Sequence, residues 1–300
     1  MKGERAPHPP GNETKGNGAN GTGRNLSPRV AAEIRLGDRH GDRHGDRHGD
    51  RNESVFADWS VAEEIPLVLF FNGERFGVMM VSPADLEEFV IGFSLNEAII
   101  THRKDISDIR FQDIGAGMVV NVLVPEKGLE KAMARARRVV GGSSCGICGA
   151  QTLEAALPRL QVSGGLVPDD HAIGAALATF VAARQEGSRS WRTVGMHRAA
   201  LMNERGQLVL ARQDVGRHNA MDKLRGAMAE RGLCGRDGFL TLSSRFSVEM
   251  AQKAAAAGFG LVAICATPTR LALETARRAG MQIVSGDGGK LVFFLQDKGD

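Results

Sequence analysis

Phe239-Leu240-Thr241-Leu242-Ser243-Ser244-Arg245-Phe246-Ser247-Val248-Glu249-Met250 is the stretch that decides the fold. Four strand-type residues run through two serines and an arginine into a helical pattern, predicted over Val248 to Ala257. The same unit recurs downstream: a buried strand over Leu261 to Ala266, the junction Thr267-Pro268-Thr269-Arg270, a helix to Ala279 and a strand at Gln282 to Val284. Upstream, a strand over Gln207 to Gln213 runs through Asp214-Val215-Gly216-Arg217-His218 into a helix from Asn219 to about Arg231. Alternation with such short connections calls for right-handed βαβ crossovers, hence an α/β domain with a mixed, mostly parallel sheet covered by helices. A last strand, Leu291 to Leu295, follows the turn Gly286-Asp287-Gly288-Gly289 and belongs at an edge.

The chain N-terminal to this unit reads differently. Ile65 to Phe71 and Glu74 to Val81 flank Asn72-Gly73, a type I′ hairpin signal. Ser82-Pro83-Ala84-Asp85 supplies an N-cap, a proline at the first helical position and a first-turn acid for a helix to about Ile100. Strands near Asp108 to Ile114 and Met118 to Val124, then a helix from Glu126 to Arg138, complete a small α+β domain over 54–140. A glycine-rich loop, 141–149, leads to the α/β domain over 150–300, which opens with helices at Gln151 to Leu157 and Asp169 to Gln185 and a hairpin strand over Thr193 to Met202.

Residues 1–53 are a different polymer. Gly, Asn, Pro and Arg dominate, and too little apolar surface is present to offset the entropy of ordering, so a disordered tail is expected. It contains the repeat Gly37-Asp38-Arg39-His40, Gly41-Asp42-Arg43-His44, Gly45-Asp46-Arg47-His48, Gly49-Asp50-Arg51-Asn52. His-rich tracts can capture metal, but alternating Asp and Arg neutralise this one, and a repeat expansion in an unconstrained tail is the simpler reading. Across the 300 residues, 42% hydrophobic content is ordinary for a globular protein. No apolar run reaches membrane-spanning length and no signal sequence is recognisable, so a cytoplasmic protein is expected. A net charge of +3 gives no reason to invoke a nucleic-acid partner.

Ligands of open α/β sheets bind beyond the carboxyl ends of the strands. The turn at Arg217 and His218, the junction at Ser243 and Arg245, and the junction at Thr267 and Arg270 all fall there. Singly, Ser247 or Thr267 is an ordinary N-cap; the glycine turn at Arg217 together with two hydroxyl-and-arginine junctions on the same edge instead predicts an electropositive pocket for a polyanion. His197 and His218 are either structural imidazoles or proton carriers near a thiol.

That thiol is the other focus. Gly141-Gly142-Ser143-Ser144-Cys145-Gly146-Ile147-Cys148-Gly149 holds two of the four cysteines; Cys234 and Cys265 lie apart and read as buried. In a reducing compartment such a pair is metal-binding or redox-active rather than a structural disulfide, unless the loop is merely a hinge. Thiol–disulfide exchange places its motif at a helix start, and structural zinc needs four ligands where one Cys-x-x-Cys is evident. Persulfide carriage on a glycine loop beside an anion pocket remains as the third chemistry.

Ser143–Gly149, the run Asp214-Val215-Gly216-Arg217-His218-Asn219-Ala220-Met221-Asp222-Lys223-Leu224, and Ser243-Ser244-Arg245 with Glu249-Met250 and Gln252-Lys253 resemble the FdhD family of formate dehydrogenase accessory sulfurtransferases, from about Val55 to Phe294. The resemblance implies a cytidine deaminase-like three-layer C-terminal domain, a homodimer, and sulfur accepted from a cysteine desulfurase as a cysteine persulfide. That sulfur passes to the bis-molybdopterin guanine dinucleotide molybdenum cofactor of the formate dehydrogenase catalytic subunit. Cys145 takes the persulfide role and Cys148 the supporting one; no tightly bound metal is implied. Cofactor contacts fall on Arg217, His218, Ser243, Arg245, Thr267 and His197, and on Val284, Ser285, Gly286, Asp287, Gly288 and Gly289, where family members usually carry an aromatic residue and an arginine. A second departure is His197-Arg198-Ala199, where the family tends to small residues after the histidine.

The deaminase-like fold also raises a zinc-dependent nucleobase deaminase. That chemistry needs His-x-Glu or Cys-x-Glu with Pro-Cys-x-x-Cys; His197-Arg198-Ala199 has no glutamate, and Ser144 stands where the proline would. A cofactor chaperone that carries no sulfur is the other alternative.

Overall fold

The computed structural model describes residues 29–35, 54–130, 133, 165, 166, 168–185, 195–287 and 289–294. Strands β1 (Arg29–Arg35) and β2 (Ser54–Ser60) pair antiparallel, with Arg35 opposite Ser54. The expected unstructured tail is therefore interrupted by a strand. Val30-Ala31-Ala32-Glu33-Ile34 is free of Gly and Pro, so its backbone can join a ladder.

The first unit is a four-stranded sheet in the order β4-β3-β6-β5, built from β3 (Ile65–Phe71), β4 (Glu74–Val81), β5 (Asp108–Asp113) and β6 (Met118–Leu123). Asn72 and Gly73 both take positive φ, 51° and 85°, as the hairpin signal requires. Leu67, Leu69, Phe71, Val120 and Val122 line one face and pack on Phe89, Val90 and Phe93 of helix α1 (Leu86–Asn96).

Two details of α1 differ from expectation. It begins at Leu86 after Asp85, which sits at φ 56° and makes no side-chain cap, so Ser82 is not the N-cap. Both the amide and the hydroxyl of Ser82 are drawn instead to Asp214 of the second unit. The helix also stops at Asn96, because Ala98 turns to φ 54° and the amides of Ile99 and Ile100 fold back onto the Ser94 carbonyl. Helix resumes over 126–130; its expected continuation to Arg138, the 141–149 loop and the helix at Gln151 to Leu157 lie outside the described residues.

The second unit is a six-stranded sheet in the order β12-β11-β10-β9-β7-β8. Its strands are β7 (His197–Met202), β8 (Leu208–Asp214), β9 (Phe239–Leu242), β10 (Leu261–Ile264), β11 (Gln282–Asp287) and β12 (Lys290–Phe293). The β9–β10 and β10–β11 ladders are parallel and the other three antiparallel. Four strands thus share one direction, and β12 lies at an edge as expected.

Side chains alternate across this sheet. Leu201, Leu240, Leu242, Val262, Ile264 and Ile283 meet helices α3 (Arg217–Glu230), α4 (Val248–Ala257) and α5 (Arg270–Arg278). Ala200, Met202, Phe239, Leu261, Ala263 and Val284 face α2 (Asp170–Gln185) on the other side. This is a three-layer α/β arrangement.

Helix α3 is buried nearly all round, between the sheet and α1 of the first unit. The two helices cross at glycines: a Cβ on Gly92 would lie 1.7 Å from the Asp222 carbonyl oxygen, and one on Gly226 would lie 1.9 Å from that of Glu88. Charged pairs flank the crossing. Asp222 accepts from Lys253 Nζ at 2.6 and 2.7 Å and from Asn96 Nδ2 at 2.7 Å, and Arg212 forks onto Glu88. Burial drives the Asp222 carboxyl upward, against the pull of Lys253, while the Glu88 hydrogen bond raises the Arg212 guanidinium.

Candidate functional site

Because β8 to β11 share one direction and β7 enters from the same side, the carboxyl edge of the sheet gathers segments far apart in sequence. His197 opens β7 opposite Asp214 at the end of β8. The Arg198 amide donates to Ser243 Oγ at 2.8 Å, and the Ser243 amide returns to the Arg198 carbonyl at 3.1 Å. Past β9, Phe246 bridges Pro268, tying the turn after β9 to the turn after β10. Ser285 Oγ then donates to the Ala266 carbonyl at 3.1 Å. The edge is stitched from β8 to β11, which satisfies its turns and holds them rigid.

His197, Arg217, His218 and Asp214 form one electrostatic group. Burial, reinforced by the charges of Arg217 and His218, holds the His197 imidazole below its ordinary value, with Asp214 pulling the other way. His218 Nε2 lies 2.6 Å from Glu249 Oε2, both side chains largely buried, so α3 and α4 meet at an imidazole–carboxylate pair. Arg217 Nε is buried without a hydrogen-bond partner, as is Ser247 Oγ. Arg245 and Thr267 project from their turns and are exposed. Cations and hydroxyls along one rigid edge can take an oxyanion in several directions at once.

Some expected contacts are used otherwise. The Gly216 amide already donates to Asp214 Oδ1 at 2.9 Å, so it does not await an anion. Ser247 occupies the cap position of α4 without making the cap bond, and α5 is capped by Thr269, whose Oγ1 accepts from the Ala272 amide, and not by Thr267. In the 284–289 segment, Val284 is wholly buried against α2, Ser285 binds the neighbouring turn, and Gly286 is exposed beside Leu177. Asp287 pairs with Lys290 in the hairpin, Gly289 turns at φ 84°, and Gly288 lies outside the described residues, as do Cys145 and Cys148. Cys234 and Cys265 are half-buried rather than buried, and Cys265 stands on the site edge just after β10.

Sequence reasoning passed over Ser82, Lys223, Arg198 and Glu249 as site-shaping residues. The usable signal was Asp222-Lys223 set inside the apolar run Ala220-Met221 and Leu224: charges on a buried helix must have partners. Arg198 is nearly buried, and its guanidinium lies 5.2 Å from the Phe180 ring centre. Among the described residues no group of three or more His, Cys, Asp or Glu is arranged to hold a metal ion, and no helix is long and apolar enough to cross a membrane.

Comparison with known proteins places the chain. The family model described as FdhD/NarQ matches residues 62–287. A sulfur carrier protein FdhD from Agrobacterium fabrum is 39% identical over 229 residues, spanning 75% of this chain and 83% of that protein. Its counterpart from Bordetella petrii is 37% identical over 224 residues, 75% of this chain and 80% of the other. Among solved structures, one described as a formate dehydrogenase accessory protein from Desulfotalea psychrophila superimposes with a TM-score of 0.63 at 22% identity, covering 91% of this chain and 98% of that one, which is a likeness of fold. With the family match extending over most of the chain and relatives alike along most of their own length, the chain belongs to the FdhD/NarQ family.

Proposed function

We propose that this protein is a sulfurtransferase serving formate dehydrogenase. In this reading the Cys145 thiolate attacks the terminal sulfur of a cysteine desulfurase persulfide; the donor S–S bond breaks, the donor thiolate leaves, and a persulfide forms on Cys145 with no net oxidation. Only with the acceptor in place does the Cys148 thiolate attack Cys145 Sγ, releasing the outer sulfur to it as hydrosulfide and leaving a Cys145–Cys148 disulfide, so the two thiolates supply the electrons. The acceptor is the bis-molybdopterin guanine dinucleotide molybdenum cofactor, bound as substrate through its phosphates. The observation that carries the reading is the single rigid edge bearing His197, Arg217, His218, Ser243, Arg245 and Thr267, in a chain similar to sulfur carrier proteins. A homodimer and a cytoplasmic location accompany it.

The test is incubation with a cysteine desulfurase and ³⁵S-cysteine. Wild type and Cys148→Ala acquire reductant-labile label, and Cys145→Ala does not. Undiminished label in Cys145→Ala rules the assignment out, and no label on the wild type turns the reading to a chaperone that carries no sulfur.

A further inference from the structure

The Asp214 carboxylate stands where the two units meet, and its oxygens face different ways. Oδ1 accepts from the Gly216 amide at 2.9 Å and from Asn219 Nδ2 at 2.8 Å, both belonging to the turn and first helical residues around Arg217 and His218. Oδ2 accepts from the Ser82 amide at 3.0 Å and the Ser82 hydroxyl at 2.9 Å, and lies 2.6 Å from Lys223 Nζ. Ser82 joins β4 to α1 in the first unit, 132 residues away in sequence. Lys223 Nζ also donates to the Ser82 carbonyl at 3.0 Å and to its hydroxyl at 2.7 Å. Asn219 Nδ2 adds a bond to the Met80 carbonyl at 2.7 Å, from the end of the same strand. Asp214 and Lys223 have no exposed surface, and Ser82 has 3%.

Joining the two units does not call for this cluster, since α1 and α3 already interlock at Gly92 and Gly226. Buried ion pairs add little net stability compared with apolar packing, but their directional bonds fix geometry. Here the geometry fixed is that of the turn at the site edge. We propose that Ser82 is a positioning residue for the Arg217–His218 turn, acting through Asp214; its importance for function rests on the reading of that edge as the acceptor site. The Ser82 hydroxyl accepts from Lys223 and donates to Oδ2. With Oδ2 held, Oδ1 is aimed at the Gly216 amide, and the turn presents Arg217 and His218 in one orientation. The first unit thereby shapes a site it does not itself line. In Ser82→Ala the Lys223–Asp214 charge pair and the bond from the backbone amide survive, but Oδ2 loses the hydroxyl, one of the three contacts that fix the carboxylate's rotation, and Lys223 loses an acceptor.

The experiment compares wild type, Ser82→Ala and Ser82→Thr as full chains. It reads amide hydrogen exchange over 215–219, affinity for guanosine diphosphate as the probe, the rate of ³⁵S loading onto Cys145, and Tm. Ser82→Ala is expected to exchange faster by about tenfold at Gly216, with β9 and β10 unchanged, and to bind the probe about tenfold more weakly, while Cys145 loads at the wild-type rate. Ser82→Thr, which keeps the hydroxyl, stays close to wild type. Unchanged exchange at Gly216 overturns the proposal, as does faster exchange with wild-type affinity. So does a lowered Tm with exchange rising evenly across the chain. If the wild type takes up no guanosine diphosphate, the acceptor reading falls, and exchange at Gly216 alone decides whether Ser82 positions the turn.

Discussion

Replacing Gly226 by Ala sets two effects of opposite sign against each other. Helix propensity alone favours Ala over Gly by about 1 kcal/mol in a helix interior. Against this, the new methyl would lie 1.9 Å from the Glu88 carbonyl oxygen and 2.6 Å from its carbon, both backbone atoms of α1. Those atoms cannot step aside like a side-chain tip; α1 must recede as a body, while its opposite face is packed on Leu67, Leu69 and Phe71 of the first sheet. Overpacking of this kind costs about 1–3 kcal/mol, and a backbone-to-backbone clash belongs at the upper end. Net destabilisation of about 2 kcal/mol is therefore expected, lowering Tm by roughly 4–8 °C for a folded body of this size. Thermal and urea unfolding of Gly226→Ala, Gly92→Ala and the double variant measure it. The double variant is expected to lose less than the sum, because one displacement of α1 relieves both clashes. A raised Tm in Gly226→Ala would mean that propensity wins and that the helices do not touch as described.

Three further outcomes follow from the buried charges and the site edge. Lys223→Met leaves the Asp214 carboxylate buried beside Ser82 without its cation and should cost about 3–5 kcal/mol by urea unfolding, with Asp214→Asn/Lys223→Met recovering part of the loss; strict additivity would dissolve the pair. His197 has a folded value held below 6.5, so the unfolded chain takes up a proton that the native chain resists. Stability from this group is present above 6.5 and drains away as pH falls through that range. His197→Gln should accordingly show a shallower fall of Tm from pH 7 to pH 5, and parallel curves would count against the desolvated imidazole. Arg217→Ala is expected to weaken guanosine diphosphate binding by roughly tenfold or more, the scale of a lost charge-assisted hydrogen bond, and to flatten its salt dependence, with ³⁵S loading of Cys145 unchanged; equal losses in both steps would place Arg217 outside acceptor binding.

Much of the second unit is legible because its physics is local. The strand Phe239–Leu242 and the helix Val248–Ala257 have the expected bounds, since strand-to-helix junctions with hydroxyls leave few other solutions. The hairpin at Asn72-Gly73 is equally local. What local reading misses is set by partners distant in sequence. Ser82 has every sequence attribute of an N-cap, but Asp214 outbids the helix for its amide and hydroxyl. Thr269, not Thr267, caps α5 because the backbone bonds between Phe246 and both threonines keep the chain extended through Thr269, so the helix starts only at Arg270. The edge that collects Arg217, Ser243 and Ser285 could be expected from strand direction, whereas the His218–Glu249 contact depends on how α3 and α4 pack.

The position of α3 between two sheet-bearing units has a consequence for synthesis. Residues 86–96 leave the ribosome long before 217–230; at roughly 5–20 residues per second the delay is on the order of ten seconds. Until α3 arrives, α1 offers the backbone at Gly92, the Glu88 carboxylate and Asn96 to solvent instead of to Asp222, Gly226 and Arg212. The N-terminal unit emerges first but stays uncovered until α3 is made, so a transcript truncated before α3 would yield a half-protein with an open helix face. That face would be a natural handle for chaperones and proteases during the wait.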